Sequence, residues 1–455
     1  MPTREIDGIE YQDLVIEDWL ESLEAQQFYH TETNRLKAKK KYLIGTLDVK
    51  YFVPADFILI AFEDCIFSGK VVFHNHNYAK VEFKNCVFED DVRFVGGDFK
   101  KQVIFNGGKI QGRFEIINGN FERIDLSMNC NEVYITGGKF TNFAINSFGH
   151  SDLFSINDLV ILSQGISGNI SISRMNIAST NLWGNIHKDA ELSFKNISFT
   201  HLKIEGLFNN GKLRFFDLVP VKRNTAKPSL FIMNSNLSKT DFFSLPIDKL
   251  ERFEMYNSFF IDCTFVNVTW PAEFDTAMDG AHYSALLDRK EMFRQLKYSY
   301  SKQGDSVIEH KFHGLEMDIY REYLKRKRRD LKDIGNYSKW RTDRQTSIIL
   351  WFSSWSSNYG QSFKAPLYTL LAAGVVLFAV MVTCGFIQGF QAGFHFDFSW
   401  PQISTTAGHF FSFINPLRKY EGQELNIGVL LDSVMRIIAS YCIYNFIRAT
   451  RRFVK

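Results

Sequence analysis

FEDCIFSGKVVFHNHNYAKVEFKNCVFEDDVRFVGGDFKKQVIFNGGKIQGRFEIINGNF, residues 62–121, holds two interleaved apolar ladders. One runs Phe62, Phe73, Phe83, Phe94, Phe105, Ile116; the other runs Phe67, Tyr78, Phe88, Phe99, Ile110, Phe121. Both advance in steps of 11, 10, 11, 11 and 11 residues. The repeated unit is apolar, any, Asn/Asp/Gly, small, any, apolar. It reads Phe62-Glu63-Asp64-Cys65-Ile66-Phe67, Phe83-Lys84-Asn85-Cys86-Val87-Phe88 and, farther on, Ile135-Thr136-Gly137-Gly138-Lys139-Phe140. A helix requires a 3.6-residue period, which this pattern lacks. Short strands separated by corners fit it, because Asn, Asp and Gly accept the left-handed backbone of a sharp turn. Two half-coils make a coil of about 21 or 22 residues, which stacks Phe62, Phe83 and Phe105 at the roughly 4.8 Å strand spacing.

Degenerate copies at Phe194–Phe199, Ile232–Leu237, Met255–Phe260 and Phe260–Phe265 carry the beat onward, with insertions or irregular coils expected after residue 145. The chain divides into a partly helical cap (1–45), a β-solenoid (46–270), a helical neck (271–350) and a transmembrane domain (351–455). The solenoid is expected to hold roughly ten coils in a rod on the order of 50 Å long. Its Phe-any-Asn/Asp-Cys-any-Phe units resemble those of pentapeptide-repeat and pentapeptide-like proteins over roughly residues 46 to 270. The resemblance implies a right-handed parallel β-helix, a shape that serves no single function. The corners depart from a strict five-residue rule by one extra residue every second turn.

Of 455 residues, 45 are Phe and only 9 Pro, in keeping with stacked rings. Lys and Arg number 53 against 50 acids, and residues 46–270 hold 23 basic and 24 acidic side chains. That balance offers neither a DNA-seeking nor a DNA-like surface, so no nucleic-acid partner is expected. Six Cys do not make a disulfide framework, and the acidic start MPTREIDGIEYQDLVIEDWL lacks the form of a signal peptide. The bulk of the chain is therefore expected in the reducing cytosol. The 11-residue step does not match hexapeptide acyltransferases, and no nucleophile, base and orienter set is visible. Neither enzymatic activity nor a cofactor is expected. His74 and His76 share a strand face, but no second cluster completes a metal's four ligands, so a solvated corner is expected there. Cys65 and Cys86 are read as small corner residues on neighbouring coils rather than a redox pair.

From about residue 273 the beat gives way to helices. Apolar stripes over Phe274–Tyr300 and from Ser306 to about Lys332, broken at Gln303-Gly304-Asp305, predict a hairpin able to cap the solenoid. Lys325, Arg326, Lys327, Arg328 and Arg329 form a basic run. Its place before an apolar span reads as a membrane-surface flank that attracts anionic lipid.

LYTLLAAGVVLFAVMVTCGFI, residues 367–387, carries no charge and is long enough to cross a bilayer core. A second span, 427–447, is interrupted by Asp432 and Arg436, four apart on one helical face. Lining of a polar path, pairing within a helix bundle and an interfacial position all remain open for the two. Between the spans, residues 394–416 are too short to span twice and too apolar for an ordinary loop, so a re-entrant or interfacial helix is expected. There Thr405, Thr406, Ser412 and Asn415 are candidates to line a narrow point. A Thr-Val-Gly-Tyr-Gly-type carbonyl filter is absent, which argues against potassium selectivity. Residues 321–364 carry 11 basic and 4 acidic side chains, so the positive-inside bias puts both termini in the cytoplasm.

Ser357-Asn358-Tyr359-Gly360-Gln361-Ser362-Phe363 with Pro366 before the first span, and Ala449-Thr450-Arg451-Arg452-Phe453 after the second, resemble a group of bacterial membrane proteins. These join pentapeptide-like repeats to an ion-channel-like two-span tail, and the likeness covers roughly residues 285 to 455. It implies an inner-membrane pore or ion-channel-like effector gated by a cytosolic solenoid that senses a protein or small-molecule signal. Bacterial stress response or antiphage defence would be a fitting setting. Two spans cannot enclose an aqueous path, so conduction requires a homo-oligomer, trimer to pentamer. The alternative is a membrane-tethered scaffold for protein–protein interaction without transport.

Overall fold

The structure is a computed structural model that describes residues 3–6, 8–17, 34–49, 58–147, 153–162, 165–223, 225–271, 274, 284–333, 337–384, 400–417 and 427–451. The chain forms two compact units, Met1–Asp275 and Thr276–Lys455.

The first unit is a parallel β-solenoid of about ten turns. Its interior follows the two ladders. Phe62 pairs with Phe83 and Phe83 with Phe105, while Phe73 pairs with Phe94 and Phe94 with Ile116. The second ladder gives Phe67–Phe88–Ile110 and Tyr78–Phe99–Phe121. Four interior columns per coil mean four walls. The extra residues are absorbed as register shifts, as between Phe99 and Gln102 and between Asn106 and Lys109. Rings in these columns lie almost parallel, with centroids 4.8 Å apart for Phe67–Phe88, 4.5 Å for Phe73–Phe94 and 4.4 Å for Tyr78–Phe99. Each fully buried Phe contributes roughly 1.5–3 kcal/mol of transfer free energy.

Beyond residue 145 the column continues through insertions. Phe105 is followed by Leu126, Ile145, Ile172, Phe194, Phe215, Phe242 and Phe265. Further contacts are made at each end of the described stack. At the start, Thr3–Ile6 pairs antiparallel with Ile9–Val15, which in turn pairs in parallel with Lys41–Ile44, so the stack begins upstream of residue 46. The described part of the 1–45 cap is mainly strand, and residues 18–33 lie outside the described residues. At the other end Trp270 packs on Phe253, Phe265 and Phe274 with centroids 5.8–6.1 Å apart.

The second unit is helical. Helices α1 (Ser284–Gln303) and α2 (Ser306–Asp333) form a hairpin turning at Gly304, where Asp305 Oδ1 accepts from the amides of Val307 and Ile308 at 3.2 and 3.1 Å. Phe312 of α2 packs on Phe293 and Tyr300 of α1, beside a 2.6 Å ion pair between Lys297 and Glu316. There follow α3 (Tyr337–Ser357), α4 (Lys364–Thr383), α5 (Trp400–Ile414) and α6 (Ile427–Arg451). Both α4 and Gly428–Arg451 are long and apolar enough to cross a membrane, and only 22% and 28% of their apolar windows are buried. A core helix of a soluble protein hides its apolar surface. Here Val376 and Ile437 are 62% and 69% exposed, which fits lipid-facing helices. Residues 385–387 of the expected first span, and 394–399 and 418–426 around α5, lie outside the described residues.

Candidate functional site

The site is built where α5 wedges against both candidate spans. Phe378 and Met381 of α4, Phe413 of α5, and Met435 and Ala439 of α6 form one buried cluster. The wedge is deep because of Gly374, half-way along α4. A Cβ there would lie 3.1 Å from Ile414 Cδ1 and 3.4 Å from Phe410 Cε2. Without a side chain at 374, the last turn of α5 sits at the middle of α4.

The buried face of α6 repeats every three or four residues: Gly428, Asp432, Met435, Ala439, Cys442, Asn445, Ala449. Asp432 therefore points into the bundle and is 2% exposed. Arg436, one turn on, donates from Nε to Asp432 Oδ2 at 2.7 Å. The pair is intrahelical, as the spacing implies. Arg436 Nη2 has no hydrogen-bond partner among the described residues, a costly state in an apolar setting unless another group or water meets it.

The small polar candidates lie elsewhere. Thr405 and Ser412 are exposed on α5, Asn415 is exposed just beyond its end, and Thr406 is half-buried. Asn415 Oδ1 accepts from the Leu417 amide at 3.0 Å, an Asx turn just beyond the end of α5. The bundle thus holds two polar groupings: the Asp432–Arg436 pair within it, and a Thr405–Ser412–Asn415 face turned away from it. No protein-family model, curated protein or solved structure matches the chain. Function must be argued from the site itself.

A second feature, missed as a site in the sequence, is the elbow between α3 and α4. Asn358, Tyr359 and Gly360 are all left-handed, with φ of 47°, 55° and 83°. Two of them carry a Cβ, so the turn stores strain that its surroundings must hold. The Ser357 carbonyl accepts from the Gly360 and Ser362 amides at 3.0 and 3.2 Å, and Ser362 Oγ accepts from the Ala365 amide at 3.1 Å to start α4. Tyr359 bonds Asp318 of α2, Gln361 lies against Gly314 of α2, and Gly360 lies against Arg448 of α6. Ser356 Oγ and Tyr441 of α6 approach to 3.3 Å. One short turn therefore touches the neck and both candidate spans.

The basic run lies on α2, and most of it is engaged. Lys325 and Arg326 reach Glu322 at 3.4 and 3.0 Å, Lys327 reaches Asp343 of α3 at 2.9 Å, and Arg328 Nε donates to the Leu324 carbonyl at 3.3 Å. In the solenoid, His74 pairs with Asp48 at 3.0 Å while His76 stands edge-on to Tyr78, so the two histidines do not converge. Among the described residues no group of three or more His, Cys, Asp or Glu could hold a metal. Cys65 and Cys86 are buried neighbours on adjacent coils, and burial pushes the Cys86 thiol up.

Proposed function

We propose that the chain assembles as a homo-oligomeric membrane pore, trimer to pentamer, whose solenoid is a cytoplasmic sensing and assembly domain. The observation that carries this reading is the depth of α5. A helix that ends against the middle of one span and packs on the other is the form of a re-entrant element, and an anchor needs no such part. A polar Thr405–Ser412–Asn415 face and a buried Asp432–Arg436 pair are expensive in lipid and useful beside water. One copy cannot close a path around them, so further copies supply the missing wall. The outward face of α6, with Ser433, Ser440 and Tyr444 among Leu430 and Ile437, is the natural contact or lining surface.

In this reading the basic-rich residues 321–364 keep the neck and both termini on the cytoplasmic side of a bacterial inner membrane. The chain performs no covalent chemistry, and its partners are lipid, further copies and a signal at the solenoid, with membrane permeabilisation in stress or antiphage defence as the output. The elbow is the joint through which movement of α2 would reach α6, provided the signal binds the two states unequally. Mass measurement of the purified complex in mild detergent tests the assembly. Three to five copies are expected, and a monomer overturns the pore. The long, charge-balanced solenoid wall favours a second reading, a membrane-tethered scaffold. Replacing residues 361–455 by an unrelated two-span anchor leaves a scaffold working and disables a pore.

A further inference from the structure

Most Asn and Asp residues at the solenoid corners have a structural task. Asp64 and Asn85 take left-handed backbone, and Asn85 Nδ2 donates to Asp64 Oδ1 at 3.3 Å; Asn257 reaches Asn234 at 3.1 Å in the same way. One column differs. Asn77, Asp98 and Asn120 lie in register on consecutive coils, followed by Lys139. Asn77, Asp98 and Asn120 are not left-handed, and their side chains make no hydrogen bond among the described residues. Their backbone ties the coils, while their side chains are left to the surface.

Beside this column the backbone is kept bare. Gly97, Gly119 and Gly138 have φ of 122°, 139° and 118°. A Cβ at Gly97 would lie 2.8 Å from the His74 carbonyl oxygen, and one at Gly119 would lie 2.7 Å from the Phe121 ring. The coils are tied at this level by Asp98 N to His76 O, Asn120 N to Gly97 O and Lys139 N to Gly119 O, at 2.9, 2.9 and 2.8 Å. The result is a groove of about 580 Å³, floored by glycine and walled by amides. Through Asp98, Asn120 and Lys139 it runs on into a hollow of about 340 Å³ that reaches Ser167 and Gly168. Asp98 and Glu122 balance Lys100 and Lys139 along its length, so the groove selects neither anions nor cations.

The geometry points to this groove as a binding site for a short, uncharged, linear oligosaccharide laid along the solenoid axis. A polar side chain recurs at the coil spacing of about 4.8 Å, Asn77, Asp98, Asn120 and Lys139 in turn, with the amides on alternate coils, where each Asn offers both donors and an acceptor. A pyranose unit advances by close to one coil, so successive hydroxyl pairs meet successive side chains. An extended peptide presents side chains on one face only every ~6.6 Å, so they do not fall on successive coils. The balance of charge disfavours nucleotides. The site is independent of the membrane unit and stands whether or not the tail conducts.

The test is isothermal titration of the full-length chain in a detergent without a sugar headgroup, with cellotetraose and chitotetraose as probes. At least one is expected to bind, and the exposed double variant Asn77→Ala, Asn120→Ala is expected to weaken it about tenfold or more with an unchanged melting temperature. Glu251→Ala, on a distant coil, is expected to bind as the parent does. No binding of either glycan overturns the proposal, as does equal binding by the double variant. Binding of an alanine–serine peptide of similar length, with neither glycan bound, overturns it in favour of a peptide.

Discussion

Tyr359 donates its hydroxyl to Asp318 at 3.0 Å, joining the turn that precedes the first candidate span to the long neck helix α2. Burial, with Asp318 beside it, pushes the Tyr359 pKa up to about 12, so the donor keeps its proton throughout the neutral range. The bond holds a residue that is itself left-handed, and the adjacent Gly360 rests on Arg448 of α6. Neck, elbow and second candidate span thus share one small contact region.

Tyr359→Phe keeps the ring and removes the bond. It is expected to destabilise the helical unit by about 1 kcal/mol, since Asp318 is partly exposed and regains water. Thermal unfolding of the full-length protein measures this, and an unchanged midpoint would show that packing alone holds the elbow.

Glu316 gives a pH dependence. Burial pushes its carboxyl up, but hydrogen bonds from His313 and Lys297 outweigh that and hold it below its ordinary 4.5. A folded-state value depressed in this way stabilises the fold above the ordinary value, and the stabilisation is lost as pH falls through the folded one. The α1–α2 hairpin is therefore expected to melt at a constant temperature from neutral pH down to about 4.5 and earlier below it. Glu316→Gln should flatten that slope, as followed by circular dichroism.

Gly374→Leu places a side chain where Ile414 and Phe410 now pack. Overpacking of this kind costs about 1–3 kcal/mol and moves α5 outward. The expected outcome is a lower melting temperature and a smaller current in reconstituted bilayers, whereas Gly374→Ala, which needs a shift of a few tenths of an ångström, stays close to the parent.

Phe83 is fully buried and stacks between Phe62 and Phe105 at 5.6 and 4.8 Å. Phe83→Ala is expected to cost about 3–5 kcal/mol and to lower the solenoid's melting transition, with the helical unit's signal at 222 nm largely retained. Loss of only a fraction of that would mean the neighbouring rings collapse into the gap.

The solenoid was legible because its interior contacts are periodic in sequence. Phe62 and Phe83 are 21 residues apart and meet, as do the next members of each ladder. After residue 145 the beat blurs because 27 residues separate Ile145 from Ile172 on the next coil, and inserted corners hide the pairing. In the helical unit, the Asp432–Arg436 pair followed from i, i+4 spacing, but which side it faces depends on where α4 and α5 pack. Contacts such as Gly314 with Gln361 and Gly374 with Ile414 join residues dozens of positions apart. A single sequence records these only as unexplained glycines within helices.

Conduction by the tail separates a pore from a scaffold, and the direct measurement is the current through planar bilayers containing the purified full-length protein. Discrete conductance steps are expected from the parent, and none from Asp432→Leu, Arg436→Leu, in which both charges leave together and the bundle stays packed. The variant should assemble to the same mass as the parent. A silent parent, or an equal current from the variant, would contradict the pore and leave the solenoid as a tethered scaffold.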